Sequence, residues 1–137
     1  MTNKTPDKRT ARPISPFMIG PYYKPQLSSM LSIAHRASGV FLSLIGAAFM
    51  VYWLLALSQG PVAYHQAMTL FTSMTGKILL GLLCFAVYYH FFNGIRHLIW
   101  DSGRMLEIKQ ANRSAIMVLL TSAIAAVLTI LASGGLI

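Results

Sequence analysis

The sequence predicts an all-α integral membrane protein with three transmembrane helices, its N-terminus inside and its C-terminus outside. Three observations carry this. Of the 137 residues 55% are hydrophobic and only 10% are charged, whereas a soluble domain carries about 25% charged residues. Three uncharged runs, residues 37–58, 78–95 and 114–137, approach or exceed the ~20 apolar residues that a spanning helix needs. The basic residues are distributed unevenly. Lys4, Lys8, Arg9, Arg12 and Lys24 precede the first run and Arg36 stands near its start, while Arg96, Arg104, Lys109 and Arg113 flank the second loop. The first loop has only Lys77 at its far edge, and no basic residue follows the third run. The positive-inside rule then sets the orientation. It also explains the net charge of +8 as topology, so no nucleic-acid partner is expected.

Residues 1–137 read as one membrane-embedded domain. Residues 1–27 form a cytoplasmic segment in which RPISPFMIGPYYKP, with four prolines and a glycine, prevents a regular helix and lies along the membrane surface. Tyr22 and Tyr23 suit an interface. A first helix is expected over about 28–58, capped by Ser28 or Ser29. Gly60-Pro61 marks a turn. A second helix follows over about 64–102 with Gly103 as terminator, and a third over about 112–134. Lys77 and Arg96 extend the short middle span by laying their methylene stems along the helix and their charges at the interfaces. Cys84, the one cysteine, reads as a small buried hydrophobe. Residues 1–12 have no apolar run and include Asp7, so neither a signal peptide nor a transit peptide is read there. A bacterial inner membrane is therefore expected in preference to a mitochondrial one.

The stretch HFFNGIRHLIWD (residues 90–101) begins inside an apolar run yet carries two histidines, an arginine, an asparagine and an aspartate. His90, Gly94, His97 and Asp101 fall at helical spacing on one face. Ionisable groups in a span face a protein interior, a cofactor or a proton path. His90 lies ~16 Å from the inner end, near mid-bilayer, where a neutral imidazole is a good iron ligand. A histidine there also serves as a plain hydrogen-bonding residue between helices. His97 stands ~10 Å further along the axis, so a second ligand to one iron has to come from another helix or chain. On the first helix Ser32, His35, Arg36 and Gly39 share a face at similar depth. Arg36 offers a fork of donors for a carboxylate or a quinone carbonyl, and Ser32 a hydroxyl. Asp101 pairs with Arg36 or Arg96, or relays protons from the inner surface.

The segments SMLSIAHRASGV (residues 29–40) and HFFNGIRHLIWD together resemble the cytochrome b556 membrane-anchor family of succinate dehydrogenase, respiratory complex II. That family carries Ser-x-x-His-Arg-x-[Ser/Thr]-Gly on its first span and His-x3-Gly-Ile-Arg-His-x3-Asp on its second, and both stand complete here. RPISP resembles the family's Arg-Pro-x-Ser-Pro start, after which this chain reads Phe-Met-Ile-Gly-Pro-Tyr instead of the commoner His-Leu-x-Ile-Tyr. The resemblance implies a helical bundle shared with a second membrane-anchor subunit. It implies His90 as an axial ligand of haem b, with the other ligand on that second anchor, and His35 and Arg36 near the haem propionates. Ser32 and Arg36 are implied to line the ubiquinone site, with Asp101 in its proton network. The implied complex oxidises succinate on a flavoprotein subunit, passes electrons through an iron–sulfur subunit and reduces ubiquinone. The resemblance implies that this chain tethers those subunits and does not bind succinate.

Three alternatives remain on the sequence. A fumarate reductase anchor would run the reverse reaction. A non-redox membrane scaffold would use every polar position for helix packing. Ligation of haem within this chain by His35 and His97 would leave His90 dispensable.

Overall fold

A computed structural model describes residues 24–134, where all regular structure is helical. Residues 1–23, which hold all but the last two residues of the Pro-rich segment, Tyr22, Tyr23 and the basic residues before Lys24, lie outside the described residues. Helix α1 covers Leu27–Phe41 and continues through a π-helical turn, Leu42–Gly46, into α2, Ala47–Ser58. Then come α3, Pro61–Thr72, α4, Met74–Asp101, and α5, Ile108–Ala132. Three helical stretches are long and apolar enough to cross a membrane: Leu27–Ser58, Met74–Asp101 and Ile108–Ala132.

The α4–α5 pair is the spine of the bundle. Helix α5 buries Ser114, Ala115, Val118, Ser122 and Ala126, mostly small residues recurring every four positions. Lipid tails are as apolar as leucine, so association inside a bilayer depends on close backbone approach and hydrogen bonds, which small side chains permit. Helix α4 answers with Leu83, Ala86, Tyr89, Asn93 and Arg96. Cys84 reaches the Ala126 carbonyl at 4.0 Å and the Thr129 side chain, and acts as a packing residue in this seam. Helix α1 lies against both α4 and α5, and the π turn still touches α4. Beyond it α2 leans on α3, which fills the wedge toward α4. There Ala56, Ala67 and Phe71 form an apolar cluster with Phe49, Trp53, Met68 and Leu80.

Three boundaries differ from the sequence reading, the simplest being the start of the third span, at Ile108 rather than about residue 112. The expected second helix is two helices, because Ser73 adopts an extended conformation (φ −62°, ψ 159°) and caps α4, its Oγ accepting from the Gly76 amide at 3.1 Å. Gly76 makes the break possible, since a Cβ there would run into the Leu70 and Phe71 carbonyls of α3. At the first helix the cap residue is Gln26, without a side-chain cap, and Ser28 is bonded elsewhere, as described below. The expected punctuation is present at Gly60 (φ +101°) before Pro61, and at Gly103 (φ +76°). Gly103 ends α4 with its amide on the Trp100 carbonyl at 2.8 Å.

Candidate functional site

The two motif-bearing faces meet. His90 on α4 points at α1 where Gly39 leaves the wall open: a Cβ on Gly39 would stand 2.9 Å from His90 Cε1. His90 Nδ1 lies 3.0 Å from Ser38 Oγ and 3.2 Å from the His35 carbonyl. The carbonyl can only accept, and the Ser38 hydroxyl already donates to that same carbonyl at 2.7 Å. Both partners therefore accept, which assigns the proton to Nδ1 and leaves Nε2 with the in-plane lone pair. This is the state in which a metal-binding histidine is held by its surroundings.

The His35 ring stacks on His90, centroids 4.1 Å apart and planes 18° from parallel. It also meets His97, at 5.1 Å and 42°. His97 in turn sets its edge against Trp100 at 5.3 Å. The result is a ladder of rings from His90 to the end of α4. His35 covers a face of the His90 ring and leaves its in-plane lone pair clear. His35 Nδ1 is buried without a hydrogen-bond partner, a donor or acceptor open to a further group. A Cβ on Gly94 would make only an ordinary 3.8 Å contact with His35.

The chain matches the family model described as succinate dehydrogenase/fumarate reductase transmembrane subunit over residues 8–129. The chain belongs to that family. It is 38% identical over 128 residues to a succinate dehydrogenase cytochrome b556 subunit of Rickettsia bellii, covering 93% of this chain and 98% of that relative. A cytochrome b556 subunit of Paracoccus denitrificans is 35% identical over 123 residues, 90% of this chain and 92% of that relative. A cytochrome b560 subunit of Marchantia polymorpha is 36% identical over 128 residues, 88% and 89% respectively. The three apolar helices and the family together make this a multi-pass membrane protein, similar to subunits of an oxidoreductase complex.

Within this succinate dehydrogenase/fumarate reductase subunit the predicted residues do not all converge. His35 and His90 are in contact, whereas Ser32 and Arg36 carry no side-chain hydrogen bond among the described residues, Ser32 half-buried and Arg36 exposed. Asp101 is exposed at the end of α4 and pairs with neither Arg36 nor Arg96. The expectation that Arg96 extends to the interface is also overturned, since the residue is 3% exposed. Its Nε donates to Ser114 Oγ at 3.0 Å and its two terminal nitrogens to Asn93 Oδ1 at 3.2 Å, Ser28 Oγ at 2.7 Å and the Ala111 carbonyl at 3.0 Å. The guanidinium carbon lies 4.0 Å above the Trp100 ring, an arrangement that suits a weakly hydrated planar cation. Hydroxyls on α1 and α5 draw Arg96 inward, and they offset the loss of water. Ser38, against the His90 ring, is the site residue that spacing missed, and Asn93 and Ser114 are the Arg96 partners it missed. Ser38 was detectable as the hydroxyl three residues after His35, on the same flank of the helix.

Proposed function

We propose that this chain is the haem b-binding membrane anchor of a succinate:ubiquinone oxidoreductase. The observation that carries it is the pinned His90, with Nδ1–H held by Ser38 and the His35 carbonyl and Nε2 bare at mid-span. The residues fit the cofactor: Gly39 removes the atom that would crowd His90, and the unpartnered His35 Nδ1 offers a hydrogen-bonding atom beside it. When bound, haem b supplies a one-electron redox centre. His90 would hold its iron, with a further ligand from a second anchor subunit, and His35 and Arg36 would steady the propionates. The ring ladder backs His90 and fixes its tilt.

Ser32 and Arg36 serve ubiquinone. Their hydroxyl and guanidinium hydrogens have no competing partner, so they are available to the quinone carbonyls as negative charge develops there. Asp101, exposed at the end of α4, supplies protons from the inner aqueous phase. The iron–sulfur and flavoprotein subunits dock at this same end, beside Lys24, Arg104, Lys109 and Arg113, which supports an N-terminus-in, C-terminus-out orientation in a bacterial inner membrane. The names of the relatives favour succinate oxidation over fumarate reduction.

A reduced-minus-oxidised visible spectrum of the membrane complex, wild type against His90→Ala, tests the reading. The expected result is a b-type spectrum that is lost or becomes high-spin in the variant. An unchanged low-spin spectrum would transfer ligation to other histidines, His35 and His97 included, and absence of haem in the wild type would favour a scaffold.

A further inference from the structure

Arg96 has no role in the site described so far, yet it is the one buried arginine among the described residues. Four hydrogen bonds leave its guanidinium, of the five N–H donors it owns. Every acceptor is neutral, and together they come from all three spans: Ser28 on α1, Asn93 on α4, Ser114 and Ala111 on α5. Each acceptor offsets part of the loss of water around the buried cation, and through them Arg96 ties the three spans together.

The hold on α1 falls directly below the residues assigned to quinone. Ser28 stands one turn before Ser32 and two turns before Arg36, on the same flank of the helix. Three residues after Ser28, the Leu31 carbonyl accepts from Tyr89 Oη at 2.7 Å and Asn93 Nδ2 at 3.5 Å, and Asn93 is itself a partner of Arg96. One face of the guanidinium rests on Trp100, the base of the ring ladder that reaches His35 and His90. A displacement of Arg96 therefore reaches α1 by two routes, through Ser28 and through the ring ladder. We propose that Arg96 is a positioning residue: through Ser28, Asn93 and Trp100 it fixes the rotation and depth of α1, and with them the placement of Ser32, His35 and Arg36. The consequence for quinone rests on the reading of Ser32 and Arg36 given above.

The test compares two single-hydroxyl deletions in the intact membrane complex, Ser28→Ala and Ser114→Ala. Each removes one acceptor from Arg96, and alanine favours the helix at both positions, so a clasp that is merely structural predicts equal effects. Positioning predicts that hydrogen exchange of the α1 amides before Gly39 quickens about tenfold in Ser28→Ala and stays within about twofold of wild type in Ser114→Ala. The KM for quinone rises about fivefold in Ser28→Ala with kcat within about twofold, and Ser28→Thr restores both, an effect on the scale of one hydrogen bond. Equal exchange in the two alanine variants overturns the proposal. So does an unchanged quinone KM in Ser28→Ala when Ser32→Ala raises it. If Ser32→Ala itself leaves quinone KM unchanged, the functional reading of that face fails, and the exchange comparison still decides whether Arg96 positions α1.

Discussion

The two ends of the bundle are held by opposite means. Around Arg96 the three spans meet through a guanidinium, hydroxyls, an amide and carbonyls, with each hydrogen bond aimed at a specific atom. Around Phe71 the helices α2, α3 and α4 meet through rings and methyl groups, Phe49 stacked on Phe71 at 4.4 Å and Tyr52 edge-on to it at 5.9 Å. Apolar packing tolerates small rotations, while hydrogen bonds to a planar cation do not. The residues proposed to carry the chemistry sit toward the end where orientation is set by directed bonds. The other end supplies adhesion.

This contrast is broken most severely at Phe71. Phe71→Ala removes a ring that is 6% exposed and should cost about 3–5 kcal/mol of stability, read by thermal denaturation of the purified complex. The wavelength and spin state of the haem bands should be unaltered in the protein that survives; a shifted spectrum would mean that the two ends are coupled. Gly39→Ala has a smaller energetic effect and a larger chemical one. The new methyl stands 2.9 Å from His90 Cε1, so the ring must shift, at about 1–3 kcal/mol, with a displaced b-type spectrum and an altered midpoint potential. Ser38→Ala is the mildest. The His35 carbonyl still holds His90 Nδ1, so stability should fall by about 1 kcal/mol or less and haem retention by about tenfold. Haem titration of the apo-complex measures that loss, and no loss would relieve Ser38 of any part in orienting the ring.

The spans were legible because hydropathy accumulates over some twenty neighbours and needs no knowledge of what lies across the bundle. The pairing of the His35 and His90 faces was legible in part, since helical spacing sets each face and equal depth brings them level. The depth of Arg96 was not. An arginine at the end of an apolar run fits snorkelling and burial equally well, and the choice depends on Ser28 and Ser114, which are 68 and 18 residues away in sequence. The break at Ser73 was hidden for a related reason. No proline marks it, and Ser-x-x-Gly becomes a helix start only where two backbones meet at the glycine.

The π-helical turn Leu42–Gly46 separates the two ends within a single span. Such a turn carries one residue more than α-helical geometry requires, and one residue corresponds to about 100° of rotation. The halves of the first span thus have independent angular settings, one tuned to α4 and α5, the other to α3. Natural variation in α2 and α3 can accumulate without turning Ser32, His35 and Arg36 away from their partners, whereas loss of a single residue between Leu42 and Gly46 would turn one half out of phase with its neighbours while leaving every motif in the sequence intact.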